Sequence, residues 1–420
     1  MRRAARFPSL CTVLLLALAS AASACAEDTP TAGGATPEAV EGGSTSVAVP
    51  APSGDPLKIG FVNNEGGSFS VPELRIGNEV AEEYINEQLG GIAGRPLEVV
   101  RCATDGSPES SIDCANQLIE ADVAAVMEGT DLGADALLPL LADAGIPMIG
   151  HVQFGPARMF DENSFYFGSA AISYGAAALK YYADEGAESV LWFFPDDATS
   201  RSFTDGVLVP TAAELGVDYQ TVYYDAANPN WAVLATTAVS EAPDVSGALA
   251  ATDAQCADLT TALRDGGFEG RILAASCVGL HADIGAAAVG VDTDADHWKP
   301  GDIEAAPAAK QEELREYAAV MEAAGHEDLV AGNALIAFAD LITLQRVLAD
   351  VEGVIDGAAV TEALRATKGL DSFAGPEITC DHTVLAGNSA CASGLLFFQF
   401  DEDGALKATT DEFVDVTGLV

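Results

Sequence analysis

The chain has 420 residues, more than one compact core usually needs, so two units are the first expectation. Acidic residues outnumber basic ones 64 to 19, a formal net charge of −45. That balance repels phosphate backbones and anionic lipid surfaces, which excludes nucleic acid as a partner and leaves a solvated acidic exterior as the plain reading.

The first 24 residues read as a secretory signal. Arg2, Arg3 and Arg6 precede an apolar stretch ending in small residues, too short for a membrane span. "ASAC" at 22–25 resembles a bacterial lipobox, with Ala22 where Leu is commonest, and makes Cys25 the expected lipidated first residue of the mature chain. Residues 25–56, rich in Gly, Pro, Ser, Thr and Ala, cannot bury a core and read as a flexible tether. The expected location is extracytoplasmic, with the lipid as the sole link to the membrane. Six further cysteines form sequence-local pairs, Cys102 with Cys114, Cys256 with Cys277 and Cys380 with Cys391. Proximity favours those three disulfides among 15 possible connectivities, and disulfides suit an exported chain. No Cys-x-x-Cys and no suitably spaced His accompany them, so zinc is not expected there.

From Leu57 onward short apolar runs alternate with helical periodicity. "LKIGFV" predicts a strand and "VPELRIGNEVAEEYINEQL" a helix. "LEVVRCA" predicts a strand and "SPESSIDCANQLIEAD" a helix capped by Ser107 with Pro108 in its first turn. "VAAVMEG", "LGADALLPLLADAG" and "IPMIGH" continue as strand, helix and strand. The rhythm restarts at "ISYGAAALKYYADEG", a helix, then "SVLWFFPDD", a strand. "SFTDGVLVPTAAELG" reads as helical despite Pro210, "VDYQTVYYD" as a strand and "NWAVLATTAVSEA" as a helix. "VSGALAATD", "AQCADLTTALRDGG" and "GRILAAS" complete the second series. This βα alternation argues for parallel sheets covered by helices on both faces. Beyond Cys277, "EELREYAAVMEAAG", "NALIAFADLITLQRVLAD" and "AAVTEALRAT" are helical, and "LLFFQFDEDGALK" reads as a hairpin turning at Asp-Gly. The late return to strands suggests that the chain crosses between units more than once.

"GTDLGAD" at 129–135 and "ATDAQCAD" at 251–258 are nearly the same phrase, each placed where a third strand meets a helix. Ligands of open parallel sheets bind outside the carboxyl ends of the strands. Thr130, Asp131, Thr252 and Asp253 are therefore candidates for opposing walls of a cleft, with simple helix capping as the alternative for each.

The blocks "LKIGFVNNEGG", "AEEYINEQLGGIAGRPLEVVRCATDGSPESSIDCANQLIEADVAAVMEG", "LADAGIPMIG", "FAGPEITCD" and "FFQFDEDGALK" resemble the type I periplasmic-binding-protein family. The likeness is to substrate-binding proteins of branched-chain amino-acid ABC importers, of the leucine-binding-protein kind, and covers essentially all of 57–410. The resemblance implies an α/β fold of two Rossmann-like lobes joined by a three-segment hinge. Lobe 1 would comprise 57–171 plus 298–372, and lobe 2 would comprise 172–297 plus 373–420. It also implies a monomer that binds a small molecule between the lobes and presents it to an ABC permease in the membrane. A ligand-sensing receptor on the same fold is the alternative.

Position by position, the resemblance places Ser68, Phe69 and Ser70 in a ligand-covering loop. It places Thr130 and Asp131 at a carboxylate-binding turn, with His151, Gln153 and Phe154 after the fourth strand. In lobe 2 it points to Thr252, Asp253 and Ser276. Two departures stand out. No acidic residue follows Ser276 and Cys277, where an ammonium partner is common, and His151, Gln153 and Phe154 are bulky where small residues are usual. Asp253 could supply the missing acid, so an amino acid, an amide, a polyamine or an aromatic acid all remain open.

Motifs for enzymatic chemistry are missing: there is no Gly-x-Ser-x-Gly, P-loop, His-Glu-x-x-His or Gly-x-Gly-x-x-Gly. No enzyme, cofactor or metal is expected. "DTDADHWKPGDIE" at 292–304 imitates the opening of a calcium loop but lacks its Gly and terminal Glu, so it reads as an acidic surface turn.

Overall fold

The structure, a computed structural model, describes residues 49–67, 69–249 and 252–420, with only the backbone of Phe69. The expected signal segment, Cys25 and nearly all of the expected tether lie outside the described residues. No helix among the described residues is long and apolar enough to cross a membrane. The strands are β1 (Leu57–Gly66), β2 (Phe69–Ser70), β3 (Leu97–Thr104), β4 (Val126–Glu128), β5 (Met148–Gly150) and β6 (Ser164–Ser169). β7 (Ser189–Pro195), β8 (Asp218–Tyr224), β9 (Val245–Ala248), β10 (Arg271–Ala274) and β11 (Asp292–Ala295) follow. Near the C-terminus come β12 (Leu370–Asp371), β13 (Glu377–Ile378), β14 (Ala390–Ala392), β15 (Gly394–Phe400), β16 (Leu406–Ala408) and β17 (Val414–Asp415).

Two sheets result. The first runs β3-β1-β4-β5-β6-β14, all parallel, with β2 folded back against the end of β1. The second runs β8-β7-β9-β10-β11 in parallel and continues through antiparallel β15 to β16. β15 and β16 are the predicted hairpin, with Asp403 and Gly404 in its turn. The chain passes between the sheets three times: after β6, after β11 and between β14 and β15.

Local chemistry explains most elements. Ser107 caps helix Pro108–Glu120, its side chain accepting from the Ser110 N–H as predicted. Helix Pro72–Gln88 packs on the almost wholly buried helix Ala334–Leu348. Gly77 makes that approach possible, because a Cβ there would stand 2.0 Å from the Ala334 carbonyl oxygen. Tyr317, Phe338 and Phe373 stack edge to face beneath this pair, with ring centroids 5.0 and 5.4 Å apart.

Four expectations change. The single helix read around Pro210 is helix Ala198–Phe203, a wide π-type turn at Thr204–Leu208 and helix Val209–Leu215. Proline has no N–H for the ladder and crowds the carbonyl four residues back, so the turn before it opens. β6 was not predicted, since "SFYFGS" is buried at every position and shows no alternation. Residues 373–392, expected with the second lobe, side with the first sheet. β14 pairs with β6, and Phe373, Ile378, Cys380 and Cys391 join that sheet's apolar cluster.

The acidic stretch expected to be a surface turn is the fourth change. It contains buried strand β11, held by β10 on one side and β15 on the other. Its acids are tolerated because each is hydrogen-bonded locally. Asp292 meets Arg271, the Tyr182 hydroxyl and the Gln399 amide.

All three sequence-local disulfides are formed: Cys102–Cys114, Cys256–Cys277 and Cys380–Cys391. Cys256–Cys277 ties helix Asp253–Asp265 to the turn after β10. Replacing both of these cysteines with alanine is expected to cost roughly 3 kcal/mol in the loop-entropy model. Urea denaturation of the oxidised protein measures this, and an unchanged midpoint would refute it.

Candidate functional site

The candidate residues lie at the carboxyl ends of the parallel strands, but the structure sorts them into different roles. Asp131 is turned into its own half: its carboxylate accepts from the Thr104 and Ser111 hydroxyls at 2.9 and 2.6 Å and from the Gly133 N–H at 3.1 Å. Thr130 is half-buried, with its N–H on Asn63 Oδ1 and its carbonyl on the Asn64 N–H. Beneath this turn Arg158 reaches Glu128 at 2.5 Å, Asp135 at 2.8 Å and the Asp131 carbonyl at 3.2 Å, while Tyr166 donates to Glu128 at 3.0 Å. The two turns after β4 and β5 are thereby fastened to each other.

Gln153 is buried and structural. Its amide donates to Asn388 and accepts from the Ala171 N–H, tying the β5 turn to two other segments. Phe154 stands 62 % exposed beside it. Ser70 is exposed on β2, whose Phe69 pairs with Gly66; Ser68 lies outside the described residues. In the second half Thr252 caps helix Asp253–Asp265 in a capping box with Gln255, the alternative weighed above. Asp253 occupies the first turn of that helix. Partial desolvation and the neighbouring Asp283 hold its carboxyl above the usual value, although the residue is exposed.

Ser276 proves more informative than its neighbours suggested. It takes φ 60° at the end of β10 and donates from both N–H and Oγ to Asp294 Oδ1, at 2.8 and 2.9 Å. An acid thus stands beside Ser276 in space although none does in sequence; it comes from β11, 18 residues on. Asp294 is buried and its Oδ2 has no hydrogen-bond partner. Burial pushes this carboxyl up to about 6 against the Ser276 bonds.

His151 is the other residue that the structure gathers into a cluster. Its Nε2 lies 2.9 Å from Asp296 Oδ1 and its Nδ1 3.0 Å from Asp340 Oδ1. Burial disfavours the imidazolium, but the two carboxylates outweigh it and hold the ring well above its ordinary pKa. Asp296 Oδ2 accepts from the Ser169 N–H at 3.0 Å, and Tyr174 bonds the same carboxylate. His297 Nδ1 lies 3.2 Å from Asp296 Oδ1, and Lys299 Nζ 2.9 Å from His297 Nε2. Burial lowers His297 to about 4 and Lys299 to about 8.

Sequence reasoning overlooked Asp340 and Tyr174, and set aside Asp294, Asp296, His297 and Lys299 as part of an acidic surface turn. The available signal was the alternation of acids in "DTDAD", a period of two suited to a strand, followed at once by His and Lys. Two surface hollows lie at the opposite, amino ends of the strands. One is lined by Asn163, Thr361 and Arg365, the other by Asp244, Phe268 and Arg271.

Paired α/β halves with three crossings and polar strand ends define a binding-protein architecture. The periplasmic binding protein family model matches residues 56–404, and the chain belongs to that family. It is a family of binding proteins with the type I fold rather than of enzymes. The leucine-binding protein of Thermotoga maritima is similar at 18 % identity and TM-score 0.67, over 84 % of this chain and 98 % of that one. An ABC transporter substrate-binding protein of Aeropyrum pernix has 16 % identity and TM-score 0.71, over 87 % and 97 %. The branched-chain amino-acid transporter substrate-binding protein of Streptococcus pneumoniae, solved with isoleucine, has 16 % identity and TM-score 0.68, over 86 % and 100 %. Among curated proteins none matches the chain.

The buried Arg158–Glu128 pair makes the first-half turns sensitive to charge. Arg158→Ala leaves a buried carboxylate unpaired and is expected to cost about 3–5 kcal/mol, with Arg158→Met plus Glu128→Gln recovering much of it. Denaturant midpoints of the single and double variants decide the matter. A loss no larger than that of the exposed Arg315→Ala would refute the prediction.

Proposed function

We propose that this chain is the extracytoplasmic solute-binding protein of an ABC importer, held at the membrane by lipid on Cys25. Its ligand is a small molecule with a cationic nitrogen, an amino acid or a related amide or carboxylate, taken up between two lobes. Lobe 1 is the first sheet with its helices, residues 57–171 and 298–392. Lobe 2 is 172–297 and 393–420, so the last crossing comes later than the sequence implied. The three crossings act as the hinge, and closure removes water from the ligand.

The observation that carries this reading is Asp294. One oxygen is held by Ser276 and the other is unpartnered, buried at the strand-end edge of the second sheet. A carboxylate so placed attracts a cation strongly in a water-poor cleft. Thr130 and the backbone N–H groups of the strand-end turns suit the anionic or amide end of the same molecule. Ser70, Phe154 and Asp253 lie on the exposed rim, positioned to cover it. The family match supports binding without turnover, and the transporter proteins of similar fold support the importer.

The test is a thermal-shift screen of the mature domain against amino acids, amides, polyamines, aromatic acids and sugars. A ligand at 100 times its dissociation constant adds about 2.7 kcal/mol of stability. A selective hit from an amine-bearing compound is expected, together with its loss in Asp294→Asn and its retention in Glu304→Gln. Stabilisation by neutral sugars alone, or an Asp294→Asn protein that binds the amine undiminished, would refute the reading.

A further inference from the structure

We propose that His151 Nε2, Asp296 Oδ1 and His297 Nδ1 form a binding site for one divalent transition-metal ion of the zinc type, at the crossing that follows β11. The three atoms lie within 4.8 Å of one another. The carboxylate oxygen is 2.9 Å from one ring nitrogen and 3.2 Å from the other. Bonds of about 2.0–2.1 Å in a tetrahedral shell separate neighbouring ligand atoms by roughly 3.3 Å. Two imidazoles and one carboxylate are borderline donors suited to zinc, and three protein ligands leave a position for water.

The surroundings support a metal beyond the three ligands themselves. Asp340 holds the far nitrogen of His151, the carboxylate–imidazole arrangement that orients and strengthens a metal-bound histidine. Asp296 is oriented in the same way, its second oxygen taken by the Ser169 N–H. Gly168 leaves the room, for a Cβ there would stand 2.4 Å from Asp296 Oδ2 and 3.1 Å from His151 Nε2. The side chain of His151 keeps 13 % of its surface accessible while Asp296 and His297 are buried, which leaves an entry path on one side.

The hydrogen count can be met. Without metal, Asp296 Oδ1 accepts from both rings and Lys299 donates to His297 Nε2. With metal, both facing nitrogens give up their hydrogens, His151 keeps the one on Asp340, and His297 carries its hydrogen on Nε2, where the Lys299 amine accepts it. Two protons leave as one dication enters. The sequence did not bring these residues together, because His151 is more than 140 residues from its partners. The bound ion would join the turn after β5 in the first sheet to the segment leaving β11 in the second. It would brace the hinge whether or not the cleft ligand is an amine, so the two proposals fail independently.

Isothermal titration of the chelator-treated mature domain with Zn²⁺ alone tests the site. One equivalent is expected, lost in His297→Gln and in His151→Gln and retained in the control His326→Gln. Asp340→Asn is expected to weaken binding about 10–100-fold, the usual effect of removing an outer partner. X-ray absorption of the zinc-loaded parent protein does not depend on any variant folding, and should give a shell with two imidazoles. No stoichiometric binding, a shell of oxygens only, or undiminished affinity in His297→Gln and His151→Gln would each overturn the proposal.

Discussion

The contact on which the two halves depend is the carboxylate of Asp296 between His151 and Ser169. Asp296 leaves β11 of the second sheet, His151 leaves β5 of the first, and Ser169 ends β6, the strand from which the chain first crosses. A buried carboxylate is costly unless it is paired and hydrogen-bonded. Here the pairing partner and the amide donor come from the other half of the molecule. Asp340 extends the contact to helix Ala334–Leu348, the most buried helix of the first half, so the charge at the crossing is anchored in the apolar core.

Around this point each half spends its polar residues differently. In the first, Asp131, Glu128, Arg158 and Tyr166 form a closed network that rigidifies the strand-end turns and leaves little charge facing outward. In the second, the disulfide Cys256–Cys277 and the Ser276 turn hold the rim, while Asp294 keeps an oxygen unused. The strand-end network of the first half is thus closed on itself, while that of the second leaves one buried carboxylate oxygen unused. That asymmetry is the physical basis for expecting a ligand with one cationic end.

The repeated Thr-Asp phrase illustrates how far a local pattern reaches. Both copies fall where a strand gives way to the next element, as their spacing predicts. Thr252 caps a helix, whereas Asp131 is drawn inward by Thr104 and Ser111, residues of β3 and the helix after it. Equal words meet unequal neighbours. The same holds for "DTDAD", whose acids read as solvated until Arg271, Ser276 and His151 are placed against them.

From sequence alone came the α/β alternation, the two series of elements, the Ser107 cap, the closing hairpin and the three disulfides. Each depends on periodicity, capping chemistry or proximity along the chain, and short-range rules carry such information. Only the tertiary structure decided that β6 is a strand, that 373–392 joins the first sheet, and that Asp294 answers Ser276. The groups gathered at His151 belong with these, since Asp296 and Asp340 lie 145 and 189 residues away in sequence. Which charges may be buried is settled by partners that long-range sheet pairing brings together, and no local pattern encodes those partners.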